Sequence, residues 1–225
     1  GWGAEQLLER ASELNPKHFE ANAVLAQLLC QRKAFLKSEV FFQRALELPP
    51  PPPRSRASDM HCSTLCAYAT MLRDGRKDFA GAREVMEKAV TTHPGSARVL
   101  GQAAALTWAC GGDLERSALL YRQALSVDPT NVETLLEYGA LSCEEMGDVI
   151  LAEEVYQKAV DLQPDHMAAH QALGCLLEAR GANEEAAGVF LAALQLDPAH
   201  EGLLQAAKRV TAGYVPPEGP AGEVD

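Results

Sequence analysis

One feature constrains this chain more than any other: an alanine followed five residues later by a proline, repeated six times. The alanines are Ala11, Ala45, Ala89, Ala124, Ala159 and Ala193. The prolines are Pro16, Pro50, Pro94, Pro129, Pro164 and Pro198, in steps of 34, 44, 35, 35 and 34 residues. A period of this length marks a row of supersecondary units, none of which can bury its apolar face alone. Each proline follows one amphipathic run and precedes another. It lacks an N–H and drives the residue before it out of helix, so it ends one helix, and its fixed φ suits the first turn of the next. Midway through most units lies a second break: Asp74-Gly75, Gly111-Gly112-Asp113, Gly147-Asp148 and Gly181-Ala182-Asn183. There glycine is expected to supply a left-handed residue and Asp or Asn to cap the following helix. Arg32-Lys33-Ala34 is a weaker break of the same kind. Each period therefore predicts helix A, a tight turn, helix B and a proline turn.

Composition agrees. The chain is 47% apolar but only 6% aromatic, which suits closely packed helices rich in residues of high helix propensity. No apolar stretch reaches the roughly 18 residues of a membrane span, so no membrane partner is expected. The start, GWGAEQLLER, has no initiator Met and no secretory pattern. Cys30, Cys62, Cys66, Cys110, Cys143 and Cys175 form no CxxC pair and read as small core residues in a reducing, intracellular and cytoplasmic setting.

The internal pattern resembles the tetratricopeptide repeat, which sets small or apolar residues at positions 4, 7, 8, 11, 20, 24 and 27 and proline at 32. Residues 167–200 match it with Leu173-Gly174, Leu177, Ala186, Phe190, Ala193 and Pro198. Residues 98–131 give Ala104-Ala105, Trp108, Ser117, Tyr121, Ala124 and Pro129. Residues 19–52 give Leu25-Ala26, Leu29, Ser38, Phe42, Ala45 and Pro50. The resemblance implies an all-α fold, a right-handed α-α superhelix or solenoid of helical hairpins. Its expected divisions are a partial repeat at 1–18 (helix B of a truncated repeat), repeat 1 at 19–52, a Pro-rich insert at 53–61, and repeat 2 at 62–97. Repeat 3 at 98–131, repeat 4 at 132–166, repeat 5 at 167–200, a capping helix at 201–212 and a disordered tail at 213–225 follow. Repeats 2 and 4 each carry one extra residue near the A–B turn. The run PPPPPRSRASD (49–59) is expected to loop out without helix, part of it as polyproline II, either as a tolerated insertion or as a ligand for an SH3 or WW domain.

No chemistry-bearing motif stands out. There is no phosphate loop, no GxGxxG after a strand and no GxSxG elbow. His166 and His170, and Cys62 and Cys66, are each spaced i, i+4 without a third ligand. No catalytic residue, metal or cofactor is expected, and no enzyme in this chain alone. Net charge is −11, and residues 131–200 hold 13 acids and 2 basic residues. That balance argues against a nucleic-acid partner and for a basic protein segment.

The resemblance places partner contacts on the A helices, at Ala23, Gln27, Gln102, Leu106, Glu133, Glu137, Gln171, Cys175 and Glu178. The groove so implied is small, apolar and amide-bearing in repeats 1–3 and acidic in repeats 4–5. The cationic clamp used by family members that grip a carboxylate terminus is missing: the matching places hold Ala23, Gln27, Ala67, Val99 and Ala103. An asparagine ladder is missing as well, with Val24, Ala67, Ala103, Glu137 and Ala172 at its places. The expected function is a non-catalytic scaffold or adaptor that holds a peptide or helix. A regulatory or targeting region of a larger enzyme is the alternative, and self-association stays open.

Overall fold

The structure is a computed structural model and describes residues 3–53 and 55–211. The expectation of disorder at 213–225 lies outside the described residues. Two compact units divide the chain, Gly1–Pro129 and Thr130–Asp225. The first holds α1 (Ala4–Leu14), α2 (Phe19–Gln31), α3 (Phe35–Leu46), α4 (Arg56–Thr70), a π-helical turn (Met71–Arg76), α5 (Phe79–Thr92), α6 (Ala97–Ala109) and α7 (Leu114–Val127). The second holds α8 (Val132–Glu144), α9 (Val149–Leu162), α10 (Met167–Ala179), α11 (Asn183–Leu196) and α12 (Glu201–Thr211). All regular structure among the described residues is helical. In the first unit α2 packs on α3, α4 on α5 and α6 on α7. In the second, α8 packs on α9, α10 on α11, and α12 on α11.

The proline turns share one geometry. Asn15, His93, Asp128, Gln163 and Asp197 each precede a proline, and each has φ between −130° and −137° with ψ between 60° and 91°. A following proline disfavours the helical region for its neighbour, and all five residues have left it. In each, the residue before the proline donates its N–H to the carbonyl of the alanine four residues back, Ala11, Ala89, Ala124, Ala159 or Ala193. The proline itself does not enter the next helix, contrary to the expectation of a first-turn position. His18, Ser96, Asn131, His166 and His200 stand two residues beyond it, and each accepts from a backbone N–H of the first turn through its own side chain. A side-chain cap satisfies a donor that proline would merely remove, so the helix begins after the cap.

The A–B turns show where the two extra residues go. Ala34, Gly112 and Ala182 each donate to a carbonyl five residues back. Asp78 and Asp148 donate instead to carbonyls six residues back, Leu72 and Ser142. The added residue widens the turn by one, and in the first unit it is absorbed as the π-helical turn. Gly111, Gly147 and Gly181 are left-handed as expected, at φ +64°, +67° and +79°. Gly75 is not: the left-handed residue there is Lys77 (φ +56°) and the cap is Asp78. Gly75 is needed for space, because a Cβ on it would lie 2.7 Å from the Phe35 ring. Nor does Asn183 cap α11; it is the first helical residue, and Ala182 precedes it without a side-chain cap.

Packing within a hairpin sets small residues of one helix against a ring of the other. A Cβ on Gly139 would meet the Tyr156 ring at 2.4 Å, and one on Gly174 the Phe190 ring at 2.3 Å. Ser38 and Ser117 are fully buried at the crossing and donate to the carbonyls of Ala26 and Ala104, at 2.7 and 2.9 Å. Phe42, Tyr121 and Phe190 have no exposed surface. Burial of each stabilises by roughly 1.5–3 kcal/mol, and the serine hydroxyls lose little because they are bonded. In the second unit α12 adds Leu203, Ala206, Ala207 and Val210 to the core around Phe190.

The expectation that residues 49–59 contain no helix is overturned. Ser55 accepts from the Ser58 N–H at 3.1 Å and caps α4, so Arg56 to Asp59 are helical. Beyond Pro53 every residue again has an N–H, and helix starts as soon as a strong capping residue appears.

The ring contacts yield a test. Alanine at 139 or 174 gains less than about 1 kcal/mol of helix propensity but overpacks a ring, at a cost of roughly 1–3 kcal/mol. Gly174→Ala should lower the melting temperature by about 3–10 °C. Adding Phe190→Leu should cost less in the Gly174→Ala background than in the native one; an additive double-mutant cycle would contradict the packing described.

Candidate functional site

In the first unit α2, α4 and α6 lie side by side and form the wall of an open groove of ≈ 570 Å³. Gln27, Cys30 and Gln31 come from α2, Ser63, Cys66, Ala67 and Thr70 from α4, and Arg98 and Gln102 from α6. Met71, Asp74 and Gly75 of the π-helical turn and Phe35 and Phe42 of α3 close the end where α2 turns into α3. The groove is this wide because the wall residues are small: Ala67 stands where a bulkier residue would fill it. Gln102 donates to Thr70 Oγ1 at 3.4 Å and ties α6 to α4.

Its chemistry is that of a binding surface. Burial pushes the Cys66 thiol up to about 12 and raises that of Cys30, so neither is a thiolate near neutral pH. Arg73 engages Asp74 through two hydrogen bonds of 2.7 and 2.8 Å and holds its carboxyl below the ordinary value. What remains is a set of amide and hydroxyl groups and the Arg98 guanidinium over an apolar floor. Such groups can satisfy the backbone of an extended or helical peptide.

The structure sorts the residues expected from sequence. Gln27 and Gln102 line the groove. Ala23 has no exposed surface and Leu106 only 3%, so both expectations are corrected: these side chains pack inside the hairpins instead of facing a partner. Leu106 borders a separate cavity of ≈ 220 Å³ between α5, α6 and α7. In the second unit Glu133, Glu137, Gln171 and Cys175 are exposed on α8 and α10. Glu178, at the end of α10, is held by Arg209 of α12 through two hydrogen bonds of 3.0 Å, which lowers its carboxyl below the usual value. Sequence reasoning missed Gln31, Ser63, Thr70 and Arg98. Gln31 was findable, because it lies one helical turn from Gln27, a groove position already chosen.

Of the candidate ligand pairs, Cys62 and Cys66 are buried and the two histidines are used structurally. His166 Nδ1 accepts from the Ala169 N–H, and His170 Nε2 bonds the Pro164 carbonyl at 2.8 Å. Among the described residues no group of three metal-ligating side chains stands together. None of the described helices is long and apolar enough to cross a membrane.

Helical hairpins with a small-on-ring crossing, joined by proline turns at steps of 34–35 residues but for the 44 from Pro50 to Pro94, have counterparts among known proteins. The family model for the tetratricopeptide repeat matches residues 140–201. The chain resembles the tetratricopeptide-repeat family. Human tetratricopeptide repeat protein 7A is 40% identical over 86 residues, 38% of this chain. The match spans only 10% of that relative's length. Two solved structures show the same fold. Pseudomonas aeruginosa pilF has a TM-score of 0.69 at 17% identity, covering 87% of this chain and 83% of its own. YrrB, described as a TPR protein with an unusual peptide-binding site, has a TM-score of 0.62 at 16% identity, covering 91% of this chain and all of its own.

One polar cluster of the repeat-like chain lies under the surface of the first unit. His61 of α4 and His93 at the end of α5 are both buried, with His61 Nδ1 2.8 Å from His93 Nε2. Ser58 Oγ stands 3.5 Å from His93 Nδ1, and the Phe19 ring stacks on His61 at 5.9 Å. Burial, then His93 and Lys88, push the His61 imidazole down to about 4; burial lowers His93 too. Both are neutral in the fold, whereas unfolded imidazoles take up protons near pH 6.5. Their stabilisation is therefore complete above about pH 6.5 and is lost as pH falls toward 4. Melting temperatures at pH 7.5, 5.5 and 4.5 should drop more steeply for the native chain than for His61→Leu/His93→Leu. Parallel curves would show that the pair does not titrate as described.

Proposed function

We propose that this chain is a non-catalytic protein-binding scaffold whose α2/α4/α6 groove holds an extended or helical peptide. The observation that carries the reading is the groove itself: an open trough on rigid helices, with amides at its rim and no group poised for covalent chemistry. Gln27, Gln31 and Gln102 would bond the peptide backbone, and the half-buried Phe35 and Ala67 would meet an apolar side chain. A helix-borne wall costs little to order on binding, so modest contacts suffice.

The second unit adds charge. Glu133 and Glu137 lie on the exposed faces of α8, in the stretch where acids outnumber basic residues 13 to 2. A basic stretch of a partner is the complement, and such pairing acts on association rate and specificity more than on affinity. Glu178 takes a smaller part, because Arg209 already occupies it. The absence of a clamp and of an asparagine ladder separates this reading from carboxylate-terminus binding and from repeated backbone gripping.

Two measurements test this. A peptide selected from a random display library against the native chain should bind Ala67→Trp at least tenfold more weakly, about 1.4 kcal/mol. Equal affinity would place the peptide elsewhere. A fluorescent octalysine peptide should bind the native chain with an on-rate that falls between 50 and 300 mM salt (both about the range where screening grows). Glu133→Gln/Glu137→Gln should flatten that dependence, and Glu178→Gln alone should change it little. An unaltered salt slope in the double variant would remove the acidic-surface part of the proposal.

A further inference from the structure

The segment joining α3 to α4 has no place in the groove, yet its order is specific. Leu48 is half-buried, Pro49 and Pro50 are exposed, Pro51 is half-buried, and Pro52 and Pro53 are exposed. The exposure repeats every three residues; Pro49 to Pro52 are neither helical nor in a turn, while Leu48 lies in a bend before them and Pro53 in the turn that leads to Ser55. Three residues per turn is the period of polyproline II. One edge of that prism, Leu48 and Pro51, rests on the protein. The other two, Pro49 with Pro52 and Pro50 with Pro53, face solvent.

The conformation is set by the chain itself. Each proline fixes its own φ and keeps the residue before it extended. The far end is anchored: Ser55 Oγ donates to the Pro52 carbonyl at 2.7 Å and accepts from the Ser58 N–H as the cap of α4. A ligand ordered before binding loses little conformational entropy when bound. A run of prolines also leaves carbonyls that no neighbouring N–H in the run can claim, free for indole or phenol donors of a partner. In sequence, Arg54 and Arg56 follow directly, so that Pro49, Pro52 and Arg54 have PxxPxR spacing.

We propose that Pro49–Pro53 is a docking segment for an SH3 domain. The aromatic-lined groove of such a domain takes the two exposed proline edges, as PxxP ligands are taken. Acidic side chains beside that groove take the arginines, and this charge pairing selects an SH3 domain over aromatic grooves that read proline alone. The site is independent of the peptide groove, since none of these prolines lines it. A tolerated insertion with no partner is the competing account.

The test is calorimetric titration of the full 225-residue chain with a panel of recombinant SH3 domains that select PxxPx(Arg/Lys) ligands. A WW domain and profilin serve as proline-reading comparators. At least one SH3 domain should bind. Pro49→Ser/Pro50→Ser/Pro52→Ser/Pro53→Ser should abolish that binding, and Arg54→Glu/Arg56→Glu should weaken it at least tenfold. Serine avoids extending α3, and glutamate at the first position of α4 suits a helix N-terminus, so both variants should keep the native helical signal and melting temperature. Silence across the SH3 panel would overturn the proposal. So would binding that survives the proline changes, or binding by the WW domain or profilin that ignores the arginines.

Discussion

Everything in this structure depends on how closely the two helices of a hairpin approach. Gly139 lies under Tyr156 and Gly174 under Phe190, with too little room for a methyl group. Ser38 and Ser117 sit in equivalent crossings and spend their hydroxyls on the facing backbone. The small partner lets the ring lie flat against a helix backbone, and the ring supplies the buried area that a small residue cannot. Neither half of the arrangement is stable alone, which is why the bulky and small positions alternate in phase through the sequence.

Close pairing has a consequence for the surface. With the B-helix rings turned inward, the A helices of the first unit stand side by side and present short side chains to solvent. Ala67 and the glutamines at 27, 31 and 102 leave a trough instead of a filled face. The same inward packing accounts for Ala23 and Leu106: both lie on A helices at positions that the family resemblance assigns to the groove, but both are buried. A shift of one position around a helix is 100°, enough to exchange a groove residue for a core residue.

Charge is distributed on a different principle from packing. The acids between 131 and 200 lie largely on solvated faces and bear on partners, not on the fold. Surface ion pairs such as Arg116–Glu87 contribute little each, ~0–1 kcal/mol. Glu178 and Glu153 are each held by an arginine from a later helix, Arg209 and Arg180, which changes what those carboxylates can offer.

The sequence by itself determined what is local. The helix–turn–helix period and the left-handed glycines at 111, 147 and 181 needed only rules about proline and glycine over a few residues. The alternation of small and bulky positions and the extra residue in two turns followed from the resemblance to the tetratricopeptide pattern. Only the tertiary structure decided how those extra residues were absorbed: the first as a π-helical turn with Lys77 left-handed and Phe35 packed over Gly75. It also decided that Ala23 is closed to a partner and that Glu178 is already paired. These turn on contacts between residues tens of positions apart, such as Gly75 with Phe35 and Glu178 with Arg209. Periodicity reports which face a residue shares, but not what stands across from it.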